Sequence, residues 1–198
     1  MFVSFEGVDG SGKTTQARLL QARWEAEGRE VVATREPGGT PVGERIRELL
    51  LGGAAISAWA EAALFAAARA ELVERVLRPA LERGADVVCD RYVDSSLAYQ
   101  GIARGLGVDA VLARNLTAVQ GLLPDRTFVL LLASDEALRR RGAASDRLER
   151  EGSRFSERVD AAYRELVHRY PERLVAVDAS APAHELARAV DEGLGIRA

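Results

Sequence analysis

Apolar residues along this chain follow two rhythms. Short, mostly apolar runs recur at 2–5, 30–34, 86–90, 126–132 and 174–178, and longer stretches with apolar positions three and four apart lie between them. The short runs read as buried strands, because a strand covered on both faces has no polar side to alternate with. The longer stretches read as helices. The first covers 14–27, with Ala17, Leu19, Leu20 and Trp24 on one broad face and Gly28 as its stop. Others cover 42–51, 57–83, 95–104, 109–120, 135–141, 153–170 and 183–193. Within the alanine- and leucine-rich 57–83 stretch, Pro79 is expected to restart the final turns, since proline has no N–H to give to the preceding turn.

Strands alternating with helices predict an α/β fold. The expected form is a five-stranded parallel sheet with helices on both faces, a three-layer α/β/α arrangement joined by right-handed crossovers. Ligands of such sheets bind beyond the carboxyl ends of the strands. The segments starting at Glu6, Arg35 and Asp90 each follow a strand, so they are expected to meet on one edge. No repeat, low-complexity tract or linker divides the chain, so 1–198 reads as one domain with a mobile lid at about 139–152.

Composition narrows the function classes. A net charge of -3 and a pI near 5.6 argue against a general nucleic-acid or membrane-surface binder. One cysteine, Cys89, forms no intramolecular disulfide, and two histidines with it make a zinc site improbable. Strand-like residues begin at Phe2, so no signal peptide is expected, and no apolar run is long enough to span a bilayer. The cytoplasm is the expected location. Among 27 Lys and Arg residues one is lysine, Lys13.

That lysine stands in Gly7-Val8-Asp9-Gly10-Ser11-Gly12-Lys13-Thr14, which fits the phosphate-loop pattern G-x-x-x-x-G-K-[ST]. An ammonium is a compact charge that fits inside a ring of backbone N–H groups, where a planar guanidinium does not. The glycines let those N–H groups face phosphates, and the helix behind Lys13 adds its positive dipole end. Thr14 is the expected Mg²⁺ ligand, followed by Thr15. Asp90 ends an apolar strand, as a metal-holding carboxylate does, or it caps the next turn. Arg91 suits a second phosphate, or pairs with Asp90. Asp9, inside the loop, is awkward beside triphosphate unless it meets metal or a hydroxyl of the acceptor. Phe65 and Arg69, four apart on one helix face, suit a base pocket, or are a core ring and a solvated cation. Arg139, Arg140, Arg141 and Arg147 are a solvated charge run, or cations that neutralise transition-state charge. His168 and His184 receive no role.

Together these residues resemble the bacterial thymidylate kinases, members of the phosphate-loop nucleoside monophosphate kinases. The resemblance is carried by Phe5 to Thr15, by Thr34-Arg35-Glu36-Pro37-Gly38-Gly39-Thr40, by Phe65-Ala66-Ala67-Ala68-Arg69, and by Asp90-Arg91-Tyr92-Val93-Asp94-Ser95-Ser96-Leu97-Ala98-Tyr99-Gln100-Gly101. The first of these is generic to phosphate-loop proteins, and the other three are specific. The resemblance implies Mg²⁺-dependent transfer of the ATP γ-phosphoryl group to dTMP. It implies that Asp9 meets the deoxyribose 3′-hydroxyl and the metal site, Phe65 stacks on thymine, and Arg69 donates to its O4. Arg91 grips the dTMP phosphate, Ser96 reads the base edge, Tyr99 crowds the sugar 2′ position, and Glu36, Pro37 and Gln100 belong to the same pocket. It further implies a cis peptide before Pro37, catalytic arginines in the lid, with Arg140 and Arg147 favoured over Arg139 and Arg141, and a homodimer through helices that include the 57–83 stretch. A deoxynucleoside kinase or another phosphate-loop nucleotide kinase is the alternative. A regulatory GTPase would need a second lysine in its guanine-reading motif. A pure binding module is disfavoured by Thr14, Asp90 and the basic lid together.

Overall fold

The computed structural model describes residues 1–141 and 146–195. Four residues of the expected lid, 142–145, lie outside that range, as do 196–198. Strands β1 (Phe2–Glu6), β2 (Val31–Arg35), β3 (Asp86–Asp90), β4 (Arg126–Leu131) and β5 (Leu174–Asp178) form one parallel sheet in the order β2-β3-β1-β4-β5. β1 is central and buried along its whole length, as its run of apolar residues requires. Phe5 pairs in register with Asp90 of β3, and Glu6 with Val129 of β4. The loops after Glu6, Arg35 and Asp90 therefore open on one edge, as expected.

Helices α1 (Lys13–Ala26), α2 (Pro41–Leu51), α3 (Ala58–Leu72), α4 (Arg78–Glu82), α5 (Val93–Ser96), α6 (Val108–Ala118), α7 (Ser134–Arg141), α8 (Ser153–Arg169) and α9 (Ala183–Gly193) fill the intervals. Ala17, Leu20 and Trp24 of α1 are buried, with Trp24 fully enclosed. Leu19 is 42% exposed, which corrects the expectation that it shares their face. A step of one residue turns the side chain about 100° around the helix, and Leu19 falls outside the stripe formed by Gln16, Ala17, Leu20 and Trp24.

The expected 57–83 stretch is helical without a gap from Ala58 to Glu82, but it is not α-helical throughout. Between α3 and α4 the chain makes a π-helical turn, Val73–Leu77, and Pro79 is the second residue of α4. A proline interrupts the α-helical ladder, and a wider turn just ahead absorbs that interruption. The expected 95–104 helix likewise starts as α5 and continues as a seven-residue π segment, Leu97–Ala103. No helix among the described residues is long and apolar enough to cross a membrane.

Candidate active site

A cavity of about 420 Å³ opens at the carboxyl edge of the sheet, where β1, β2 and β3 end. The loop after β1 supplies Asp9, Gly10, Gly12, Lys13, Thr14 and Thr15 to its wall. Gly7 turns the chain out of β1 at φ 137°, and a Cβ there would sit 2.5 Å from the Leu130 carbonyl oxygen of β4. Only glycine lets the loop leave the central strand so close to its neighbour. Gly12, left-handed at φ 96°, is the N-cap of α1 and offers no side chain to its first turn. The orphan N–H groups of that turn are left for an anion.

Lys13 is 6% exposed, and its Nζ donates to the Val8 carbonyl at 2.8 Å. Its pKa is pushed down to about 8, first by burial and then by the charge of Arg91, against the pull of Asp9, Asp90 and Glu6. Asp9 Oδ1 lies 3.8 Å from Lys13 Nζ and accepts from Arg91 Nη2 at 2.6 Å. Arg91 therefore pairs with Asp9, not with its neighbour Asp90. Asp90 Oδ2 accepts instead from Thr14 Oγ1 at 2.5 Å, which brings two of the three expected Mg²⁺ ligands to one point. A hydroxyl with carboxylates is a hard-oxygen donor set, the kind Mg²⁺ accepts while keeping waters and phosphate oxygens.

Arg91 is held in a sparsely populated conformation, φ 72°. Its N–H donates to Phe5 O at 2.9 Å, and its Nη1 meets Ser95 Oγ at 3.1 Å and Tyr163 OH at 3.3 Å. Behind it Glu6, fully buried, accepts from Tyr92 N–H, Ser95 N–H, Ser95 Oγ and Tyr163 OH at 2.6–3.1 Å. Burial first, and then the charge of Asp94, push the Glu6 carboxyl up from its ordinary range. Tyr163 is not among the expected site residues. Its one visible signal is a hydroxyl four positions after Val159 on the apolar face of α8.

Phe65 of α3, with Ser96, Tyr99 and Gln100 from α5 and the π segment after it, lines the opposite side, facing Glu36 and Pro37. The Glu36–Pro37 bond is cis. Arg69 does not line the cavity; it is fully buried beneath it. Its Nε and Nη2 reach Glu36 Oε2 at 2.7 and 2.6 Å, Nη2 also reaches the Tyr92 carbonyl at 3.0 Å, and Nη1 reaches Ser96 Oγ at 3.1 Å and Asn115 Oδ1. All five N–H groups of the guanidinium thus have acceptors, so the solvated alternative for Arg69 is excluded. Glu36 is pushed up to about 7 by burial, although Arg69 pulls the other way. Asn115, missed by sequence reading, has its amide fixed by donation to Val111 O at 2.9 Å.

Several expected residues sit elsewhere. Gly7 and Ser11 belong to the loop but do not line the cavity, and Val8 lines a smaller pocket beside Asp9 and Phe155. Arg140 is paired with Glu136 at 2.7 Å and donates to the Ala179 carbonyl at 2.9 Å. Arg147 is paired with Glu61 at 2.6 Å and donates to the Leu50 carbonyl at 2.9 Å. Neither lines the cavity. Two further cations do: Arg47, not among the expected site residues, donating to Pro37 O at 2.9 Å, and Arg35, the start of an expected loop segment, paired with Glu44 at 3.0 Å.

The chain is similar to known proteins over most of its length. A family model described as thymidylate kinase matches residues 5–190. A thymidylate kinase of Symbiobacterium thermophilum is 50% identical over 189 residues, covering 94% of this chain and 88% of the relative. One of Chlorobaculum parvum is 43% identical, covering 96% and 93%. A crystal structure of the thymidylate kinase of Ehrlichia chaffeensis superposes with a TM-score of 0.80 at 31% identity, covering 98% of both chains.

Proposed function

The chain belongs to the thymidylate kinase family, and from that premise we propose how it phosphorylates dTMP to dTDP with the γ-phosphoryl group of ATP. One observation carries the assignment of roles. Asp9 Oδ1 lies between two cations that front the same cavity, Lys13 at 3.8 Å and Arg91 at 2.6 Å. One cation belongs to the phosphate loop and serves the donor; the other directly follows a different strand and serves the acceptor phosphate.

Phosphoryl transfer asks the protein for positioning and charge more than for covalent chemistry. The loop Gly7, Val8, Asp9, Gly10, Ser11, Gly12, Lys13, Thr14 and Thr15 cradles ATP, and Lys13 trades the Val8 carbonyl for phosphate oxygens. Thr14, Asp90 and Asp9 would hold Mg²⁺, which when bound neutralises charge on the β- and γ-phosphate oxygens. Arg91 grips the acceptor phosphate, braced by Ser95 and Tyr163. Asp9, relieved of Arg91, accepts from the 3′-hydroxyl.

Phe65 stacks on thymine, and Tyr99 fills the space a 2′-hydroxyl would need. Because every N–H of Arg69 is already engaged, O4 shares the Nη1 donor that now meets Ser96. The Ser96 hydroxyl then turns toward the base edge beside Gln100. Arg140 is the cation that leaves Glu136 and Ala179 to meet transition-state charge. Arg147 is spent on Glu61 and takes no catalytic role. Exposed Val42, Leu49 and Trp59 of α2 and α3 support a homodimer, and the cytoplasm is the proposed location.

A coupled kinase assay across dTMP, dUMP, dCMP and dGMP tests this reading. Preference for dTMP is expected; no activity with dTMP above the others refutes it.

A further inference from the structure

Glu61, in the first turn of α3, is a carboxylate with no exposed surface and no place in the chemistry described above. Its two oxygens collect donors from separate parts of the chain. Oε1 accepts from Gln100 Nε2 at 2.8 Å and from Arg104 Nε at 3.3 Å. Oε2 accepts from Arg104 Nη2 at 3.2 Å and from Arg147 Nη2 at 2.6 Å. Arg104 Nη2 also reaches Glu151 Oε1 at 2.6 Å, and Arg147 Nη1 stands 3.9 Å from the same oxygen. Two carboxylates and two guanidiniums thus close a neutral quartet. A buried carboxylate stripped of its partners is costly, so the quartet holds together as a unit.

The quartet joins two walls of the cavity. Gln100 lines it directly. Arg147 does not, but its neighbours Asp146 and Leu148 do. Arg147 seats the strap 146–151 on three points: Glu61, the Leu50 carbonyl through Nε at 2.9 Å, and the Leu51 carbonyl through its backbone N–H at 3.2 Å; Glu151 adds the bond to Arg104. The last carbonyls of α2 lack helical partners, so a guanidinium there satisfies groups that otherwise need water.

We propose that Glu61 is a positioning residue of the acceptor site, coupling Gln100 to the strap 146–151 through Arg147. The strap then covers the acceptor side only while Glu61 holds both. The proposal rests on the acceptor-site reading of Gln100 given above. Filling the pocket fixes Gln100, Gln100 fixes the Glu61 carboxylate, and the carboxylate fixes Arg147. Removing Arg147 should therefore loosen the strap and weaken the nucleotide that Gln100 touches, and should leave ATP binding alone.

The test is amide hydrogen exchange on the full chain, with and without dTMP, paired with steady-state kinetics. In Arg147→Ala, exchange over 146–151 should quicken about tenfold as the local opening becomes cheaper. The KM for dTMP should rise about tenfold, with the KM for ATP within about twofold. Arg147→Lys, which restores one charged contact with Glu61, should recover part of both effects. Combining Arg147→Ala with Gln100→Ala should cost less than the product of the two single effects, because both act through Glu61. Glu61→Gln should repeat the Arg147→Ala pattern if it folds, and Arg147→Ala decides the matter if it does not. Unchanged exchange over 146–151, or a fall in kcat with the KM for dTMP unmoved, overturns the proposal. The latter is the mark of a cation acting only in the transition state. A wild-type enzyme that fails to turn over dTMP refutes the acceptor assignment instead, and the exchange measurement still decides whether Arg147 seats the strap.

Discussion

Thr14 Oγ1 donates to Asp90 Oδ2 at 2.5 Å, so the hydroxyl that opens α1 and the carboxylate that ends β3 share one point of the cavity. β1 and β3 are neighbours with Phe5 opposite Asp90, and the loop after β1 needs only a short reach to bring Thr14 there. Asp90→Asn keeps the size of the side chain and its acceptor oxygen but removes the charge. The protein should fold, and kcat should fall by about 10² or more, since a metal's charge stabilisation is worth several kcal/mol. The Mg²⁺ concentration needed for half-maximal rate should rise. Titrating Mg²⁺ against rate checks both, and a near-normal rate at ordinary Mg²⁺ removes Asp90 from the metal site.

Lys13 with a pKa of about 8 has a consequence for pH dependence. The shift is downward, so in the free enzyme the ammonium is lost as pH rises through about 8. The pH profile of kcat/KM for ATP reports the free enzyme, and it should fall above that point. Bound phosphates favour the ammonium, so the limb in kcat should lie at higher pH. Lys13→Arg should lack the alkaline limb and still lose about 10² or more in kcat, because a fork does not fit a seat shaped for a point charge. A kcat/KM profile for ATP that stays flat to pH 10 would contradict the burial argument.

The contrast between what the sequence disclosed and what it hid has a physical basis. Continuous apolar runs revealed all five strands within about a residue, because a parallel strand buried on both faces has little freedom of composition. The phosphate loop was legible because its chemistry needs particular residues at fixed spacing. The partners of the charged residues were not legible. Arg91 lies beside Asp90 in sequence but pairs with Asp9, 82 positions away. Arg69 draws its acceptors from Glu36, Tyr92, Ser96 and Asn115, and a spacing of four from Phe65 says nothing about them. The π segment that presents Tyr99 and Gln100 was hidden for the same reason: its wider turn answers to packing against α8 and α6, not to a local pattern. The family resemblance favours Arg147 as a catalytic cation, and neither the resemblance nor its charge discloses its partner Glu61, 86 positions earlier.

Tyr163 holds Arg91 from one side and Glu6 from the other, at 3.3 and 2.9 Å. Tyr163→Phe removes one donor from a buried carboxylate that keeps three others. Stability should fall by about 1–3 kcal/mol, the cost of a buried polar group losing a partner. The larger effect should be kinetic: a several-fold rise in the KM for dTMP, with the KM for ATP little changed. Comparing urea unfolding with both KM values separates the two. Equal changes in the KM for dTMP and for ATP would mean that Tyr163 supports the fold and not Arg91.

Arg69 and Glu36 offer a test in which the sign of a pH effect decides. Glu36 is already pushed up to about 7 by burial with Arg69 present. Arg69→Met removes the compensating charge and should push that carboxyl higher still. Above the folded value of Glu36 the variant keeps a buried, uncompensated carboxylate and should lose about 3–5 kcal/mol of stability, the usual cost of breaking a buried pair. As pH falls, Glu36 takes up a proton in the folded state while it is still ionised in the unfolded chain. A carboxyl whose folded value lies above its unfolded value binds more protons when folded, so stability rises as pH falls through the folded value. The deficit of Arg69→Met relative to wild type should therefore shrink by up to about 1.4 kcal/mol per pH unit over the window in which the two proteins differ in protonation. That window lies above about 7, the wild-type value; urea unfolding of both proteins at pH 9, 8.5, 8 and 7 measures it, and a deficit constant across that range would show that Arg69 supports the pocket by packing alone.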